Sequence, residues 1–140
     1  MRITFLNKDS KTARIPRAVI FQYARTIECV LGKRAQNAEL SVIFISKSES
    51  RLLNKKYRKK DKPTNVLSFE TTLEERESLG DILICPSVAR REAAEEGVTL
   101  TEWLVRLFVH GALHLFGYDH MNAKEAHRME SIEHVILHKE

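Results

Sequence analysis

Three histidines fall within the stretch HGALHLFGYDH, at His110, His114 and His120. Imidazole is the commonest protein ligand for metals, and spacing decides whether three of them can share one ion. Residues four apart lie on one face of a helix, with Cβ atoms about 6 Å apart. Two rings so placed can converge on an ion at metal–nitrogen distances of about 2.0–2.1 Å. Gly117 can take the left-handed conformation that ends a helix, and the turn Tyr118-Asp119 can return His120 to the same point. Three neutral imidazoles and an open fourth position form the pattern of a catalytic zinc site. One zinc ion is therefore expected, although nickel, copper or iron also accept nitrogen ligands. Such an ion lowers the pKa of a water it holds to about 7, which points to hydrolysis. Asp119 is a further ligand, a partner that orients an imidazole, or a turn residue.

Zinc peptidases share this spacing but carry a glutamate directly after the first histidine. Gly111 stands in that place and has no side chain to act as general base, which weakens a metzincin-like metallopeptidase reading. From Lys55 to Lys62 the chain reads KKYRKKDK. Exposed lysines are ordinarily solubilising, but a basic loop beside a hydrolytic metal suits a nucleic-acid backbone. Arg58 stands out because a guanidinium can clamp phosphate through two hydrogen bonds, as an ammonium cannot. Arg58 and His114 are the candidate catalytic residues. Arg58, Lys59 and Lys60 are the candidate nucleic-acid contacts. A non-catalytic ribosome-assembly factor would use the same basic segment, without needing an open metal position.

The elements that must position these groups are legible in outline. Arg2–Leu6, Leu40–Ile45, Asn65–Glu70 and Gly80–Cys85 read as strands. In the third, Val66 and Ser68 share one face and Leu67 and Phe69 the other. Pro16–Leu31 reads as a helix stopped by Gly32, Ser48–Tyr57 as one burying Leu52 and Leu53, and Ser87–Glu96 as one closed by Gly97. Thr71–Leu79 reads as a loop or hairpin connection. Thr99 and Glu102 fit a capping box at the start of a helix running to Phe116. That helix is apolar on most sides and hence largely buried, with Glu102, Arg106, His110 and His114 as one narrow polar stripe. Asn122 caps a last helix that buries Met129, Ile132 and Ile136. The expected fold is α+β: a small mixed sheet of about four strands packed with helices, the last three packed together, with the histidine motif on a buried helix near the C-terminus.

A chain of 140 residues suggests one domain, 1–140, able to bury roughly two-thirds of its unfolded surface. No apolar run approaches the roughly 20 residues of a membrane span, and MRITFLNKDSK lacks a signal peptide's apolar core. A cytoplasmic protein without a membrane partner is expected. The formal net charge of +4 is compatible with a polyanionic partner but does not require one. Cys29 and Cys85 are expected to be two buried thiols rather than a disulfide. His127, His134 and His138 are expected on a solvated face of the last helix.

Three segments together carry a resemblance: YRKKDKPTNVLSF (Tyr57 to Phe69), LGDILIC (Leu79 to Cys85) and HGALHLFGYDH. The chain resembles the YbeY family of metal-dependent endoribonucleases over nearly its whole length, including Met129 to Ser131. The resemblance implies a small α+β protein with zinc at His110, His114 and His120, and a functional arginine at Arg58. It implies cleavage of single-stranded RNA rather than DNA, 3′-end maturation of 16S rRNA, and quality control of ribosomes, with rRNA and the small ribosomal subunit as partners.

Overall fold

A computed structural model describes residues 1–9, 11, 13–71 and 78–139. In chain order the elements are β1 (Arg2–Asn7), α1 (Arg17–Leu31), α2 (Lys33–Gln36), β2 (Glu39–Phe44), α3 (Lys47–Arg58), β3 (Val66–Glu70), β4 (Ser78–Ile84), α4 (Pro86–Glu96), α5 (Leu100–Leu115) and α6 (Ala123–His138). The strands form one mixed sheet in the order β1-β2-β4-β3. β1 and β4 both run parallel to β2, and β3 pairs antiparallel with β4. This is the expected α+β architecture. The short α2 was not expected, because four residues are too few to show a helical period. β4 begins two residues earlier than expected, at Ser78. The connection expected over Thr71–Leu79 lies mostly outside the described residues.

The sheet has two unlike faces. On one, Leu40, Val42, Phe44, Val66, Ile82 and Ile84 join the main core with residues of α1, α5 and α6. On the other, Leu67, Leu83 and Ile45 form a smaller cluster with Val88 and Cys85, against which Leu53 and Phe69 pack. The alternation expected in β3 is therefore realised. α5 is the central helix, in contact with α4, α6, α1 and the strands β3 and β4. Nine of its residues are buried, whereas Glu102 and Arg106 are exposed and His110 and His114 half-buried. The Thr99 hydroxyl accepts from the Glu102 amide, and the Asn122 carbonyl oxygen accepts from the Glu125 amide, so both motif-bearing helices start at side-chain caps.

Two expectations about burial are corrected. Leu52 is 66% exposed and Leu53 only half-buried. The buried face of α3 carries Ser50 and Asn54 instead. The Ser50 hydroxyl donates to the Thr64 carbonyl (2.8 Å) and accepts from the Thr64 amide (2.9 Å), and Asn54 Nδ2 donates to the Lys62 carbonyl (2.8 Å). α3 thus buries polar groups because it packs on the backbone of the following loop, whose amides and carbonyls need partners. Cys29 is exposed and only Cys85 is buried. Ile20, Ala24 and Ile27 take the buried face of α1, and Cys29 falls outside that stripe.

Candidate metal centre

His110 and His114 face each other from successive turns of α5, with Nε2 atoms 3.1 Å apart. Each ring is fixed from its far side. His110 Nδ1 lies 2.9 Å from Glu133 Oε1 of α6, and His114 Nδ1 lies 2.9 Å from the Tyr118 carbonyl oxygen. A carboxylate and a carbonyl can only accept, so both Nδ1 atoms carry the proton and donate it. Both Nε2 atoms then present lone pairs to one another. That contact is repulsive unless a cation sits between them. Two nitrogens on one tetrahedral zinc stand about 3.3 Å apart, close to the observed separation. Burial, reinforced by the neighbouring His110 and His120, holds the His114 imidazolium pKa below the ordinary range. It therefore favours the neutral ring that a metal needs.

Gly117, at φ 98°, turns the chain at the end of α5. The Gly117 amide bonds to the His114 carbonyl and the Tyr118 amide to the Leu113 carbonyl. This turn returns His120, whose ring centre stands 5.0 Å from that of His114 and 5.9 Å from that of His110. His114, Asp119 and His120 offer ligand atoms that all lie within 4.8 Å of one another. Asp119 Oδ1 also accepts from the His120 amide at 2.7 Å, so the turn role and a ligand role are compatible. His114, Asp119 and His120 are the group that could hold a metal ion; His110 adjoins it through the 3.1 Å approach of its Nε2 to that of His114, with Glu133 as the acceptor that fixes its ring.

Gly111 has a packing reason. A Cβ added there would meet Ile82 Cγ2 at 2.8 Å and Ser68 Oγ at 3.1 Å. The Ser68 hydroxyl in turn donates to the Gly111 carbonyl at 3.2 Å. Position 111 therefore faces the sheet at close approach and has no room for a glutamate. The peptidase base is excluded there by packing as well as by composition.

The structure does not bring Arg58, Lys59 or Lys60 against the histidines. All three are exposed at the C-terminal end of α3, on the opposite side of the sheet from α5, and the described residues give their side chains no ion pair. Their link to the centre runs over the edge strand β3. Tyr57 stacks edge-on against Phe69, with ring centres 4.9 Å apart. Phe69 with Ser68 and Glu70 borders a cleft of about 380 Å³ whose other wall holds His114 and the turn Gly117–Asp119. His127, His134 and His138 are exposed, as expected.

Sequence reasoning missed Glu133, the Tyr118 carbonyl and the wall formed by Ser68 and Glu70. Only Glu133 left a signal. It lies four residues after Met129 and three before Ile136, inside the buried stripe of α6, where an acid needs a partner. A backbone carbonyl leaves none.

A family model described as "Endoribonuclease YbeY" matches residues 5–140. The endoribonuclease YbeY of Halorhodospira halophila is 44% identical over 117 residues, covering 79% of this chain and 76% of the relative. That of Colwellia psychrerythraea is 48% identical over 107 residues, covering 74% and 69%. A solution structure of a Thermotoga maritima protein is 27% identical with a TM-score of 0.61, covering 96% of this chain and 88% of that one.

Proposed function

The chain belongs to the YbeY endoribonuclease family, and on that premise we propose that it is a zinc-dependent endoribonuclease. Its substrate is single-stranded RNA, and its setting is 16S rRNA 3′-end maturation and ribosome quality control. The observation that carries the metal is the pair of imidazole Nε2 atoms 3.1 Å apart, each ring held by an acceptor at Nδ1. His110, His114 and His120 would hold the ion, with Asp119 beside them. A zinc so held supplies Lewis acidity toward a phosphoryl oxygen and a water of lowered pKa.

The chain's own residues do the rest. Glu133 and the Tyr118 carbonyl keep two imidazoles in one tautomer and orientation. Arg58, across the edge of β3 from the histidines, supplies a guanidinium for a backbone phosphate of the approaching strand, and Lys59 and Lys60 hold the neighbouring backbone. An RNA strand crossing the edge of β3 passes from the basic end of α3 to the cleft at His114. The loop that presents these cations is held in place by Ser50 and Asn54, so the basic residues approach RNA with little ordering cost.

Arg58→Ala tests the division of labour. Cleavage of single-stranded RNA should fall while bound zinc stays unchanged. Equal loss of zinc would mean that Arg58 supports the fold rather than the reaction. The ends of the cleaved RNA identify the attacking group: a 2′,3′-cyclic phosphate marks the RNA 2′-hydroxyl, and a 3′-hydroxyl with a 5′-phosphate marks water. Unchanged RNA alongside cleaved casein would favour the peptidase instead.

A further inference from the structure

The turn Gly117–Asp119 has two sides. One borders the cleft at His114. The other borders a second pocket of about 270 Å³, which also receives Arg34 from α2, Phe116 at the end of α5, and Glu125 and Arg128 from α6. Both guanidiniums approach the same half-buried ring. The Arg34 and Arg128 guanidinium carbons lie 5.4 and 5.5 Å from the centre of Tyr118, and Arg34 also lies 5.8 Å from the centre of Phe116. A guanidinium packed on an aromatic ring is held in orientation while its N–H edge stays available. Neither arginine has an ion-pair partner among the described residues, although two carboxylates border the pocket. Asp119 is turned to the His120 amide, and Glu125 sits in the first turn of α6, where the helix end favours it. Two oriented arginines converge here, on the residue whose carbonyl fixes His114.

We infer that the Arg34–Tyr118–Arg128 pocket binds an internal phosphodiester of the RNA strand, next to the bond that is cut. The inference rests on the endoribonuclease reading above. It adds a subsite on the far side of the metal turn from Arg58, so the strand is held by cations on both sides of the reacting phosphate. Tyr118 then has two tasks, its ring carrying the arginines and its carbonyl carrying His114.

The test compares the wild-type chain, the double variants R34Q/R128Q and R34K/R128K, and short single-stranded RNAs with one phosphodiester replaced by an uncharged methylphosphonate. Binding is followed by anisotropy in the zinc-loaded protein before turnover, and cleavage by kcat and KM. The glutamine variant should bind about five- to ten-fold more weakly, mainly through KM. Its salt slope should fall by about 0.7 for each phosphate that is no longer neutralised. The lysine variant should recover part of the affinity, because charge remains without the fork. One methylphosphonate position next to the cut should weaken wild-type binding similarly and leave the glutamine variant unaffected. Wild-type affinity in R34Q/R128Q would overturn the inference. So would a loss spread evenly over all methylphosphonate positions. A loss seen only with 5′-phosphorylated RNA would assign the pocket to a terminal phosphate and overturn the internal one. If the wild-type protein shows the position-specific binding but cuts no RNA, the proposed activity fails and the subsite stands.

Discussion

Gly111→Ala adds one methyl group where α5 meets the sheet, and the structure sets two effects against each other. Alanine is favoured over glycine within a helix by about 1 kcal/mol. The new Cβ, however, would stand 2.8 Å from Ile82 Cγ2 and 3.4 Å from Ile82 Cγ1. Non-bonded carbons prefer about 3.5–4.0 Å. Ile82 is fully buried on a strand paired on both sides, opposite Val42 and Ser68, so it cannot retreat. The helix must lift, and overpacking of this kind costs about 1–3 kcal/mol. We predict a net destabilisation of about 0–2 kcal/mol, lowering the Tm by up to about 8 °C. Urea denaturation of Gly111→Ala, Ile82→Ala and the double variant gives the coupling directly. Ile82→Ala alone should cost about 2–5 kcal/mol through its cavity. Together the two should cost less than their sum by about 1 kcal/mol or more, because alanine at 82 removes the Cγ2 atom that makes the shortest contact and leaves only Ser68 Oγ at 3.1 Å. Stabilisation of Gly111→Ala, or additivity within about 0.5 kcal/mol, would refute the close-packing account of this glycine.

Glu133→Ala should lower zinc affinity by about 10- to 100-fold through loss of the acceptor that orients His110, with Glu133→Gln intermediate; chelator competition measures both, and unchanged affinity would count against the assignment. Ser50→Ala leaves the Thr64 amide without its side-chain acceptor and should cost about 1–3 kcal/mol in urea denaturation, with faster proteolysis between Lys59 and Lys62. In the native protein a thiol reagent should modify Cys29 alone. Burial raises the Cys85 pKa, so Cys85 should stay unreacted across the ordinary thiol range until the chain unfolds. Cys29→Ser should then abolish native labelling.

The parts of the fold with strong periodicity were legible. α5 and its cap, the faces of β3, and the buried Met129 and Ile136 of α6 followed from spacing alone. Leu52 and Cys29 did not, because an apolar residue can be left outside by a packing partner that sequence does not display. α3 buries Ser50 and Asn54 to serve the backbone of the loop after it, a tertiary requirement. The histidine cluster was legible because two of its rings share one helix and the third follows within six residues. Its supports were not, since Glu133 comes from another helix and the Tyr118 carbonyl has no side-chain signature. Gly111 was read as a missing base, whereas the structure gives it a second meaning as the contact point between α5 and the sheet.

Zinc content and RNA cleavage, measured in the same samples of wild type and His114→Ala, test the metal centre most directly. Wild type should carry one zinc ion per chain and cleave single-stranded RNA, with cleavage lost on chelation and restored by zinc. His114→Ala should retain the helical content of the fold but neither hold zinc tightly nor cleave RNA. Cleavage at the wild-type rate by metal-free His114→Ala protein would contradict a catalytic metal at these histidines.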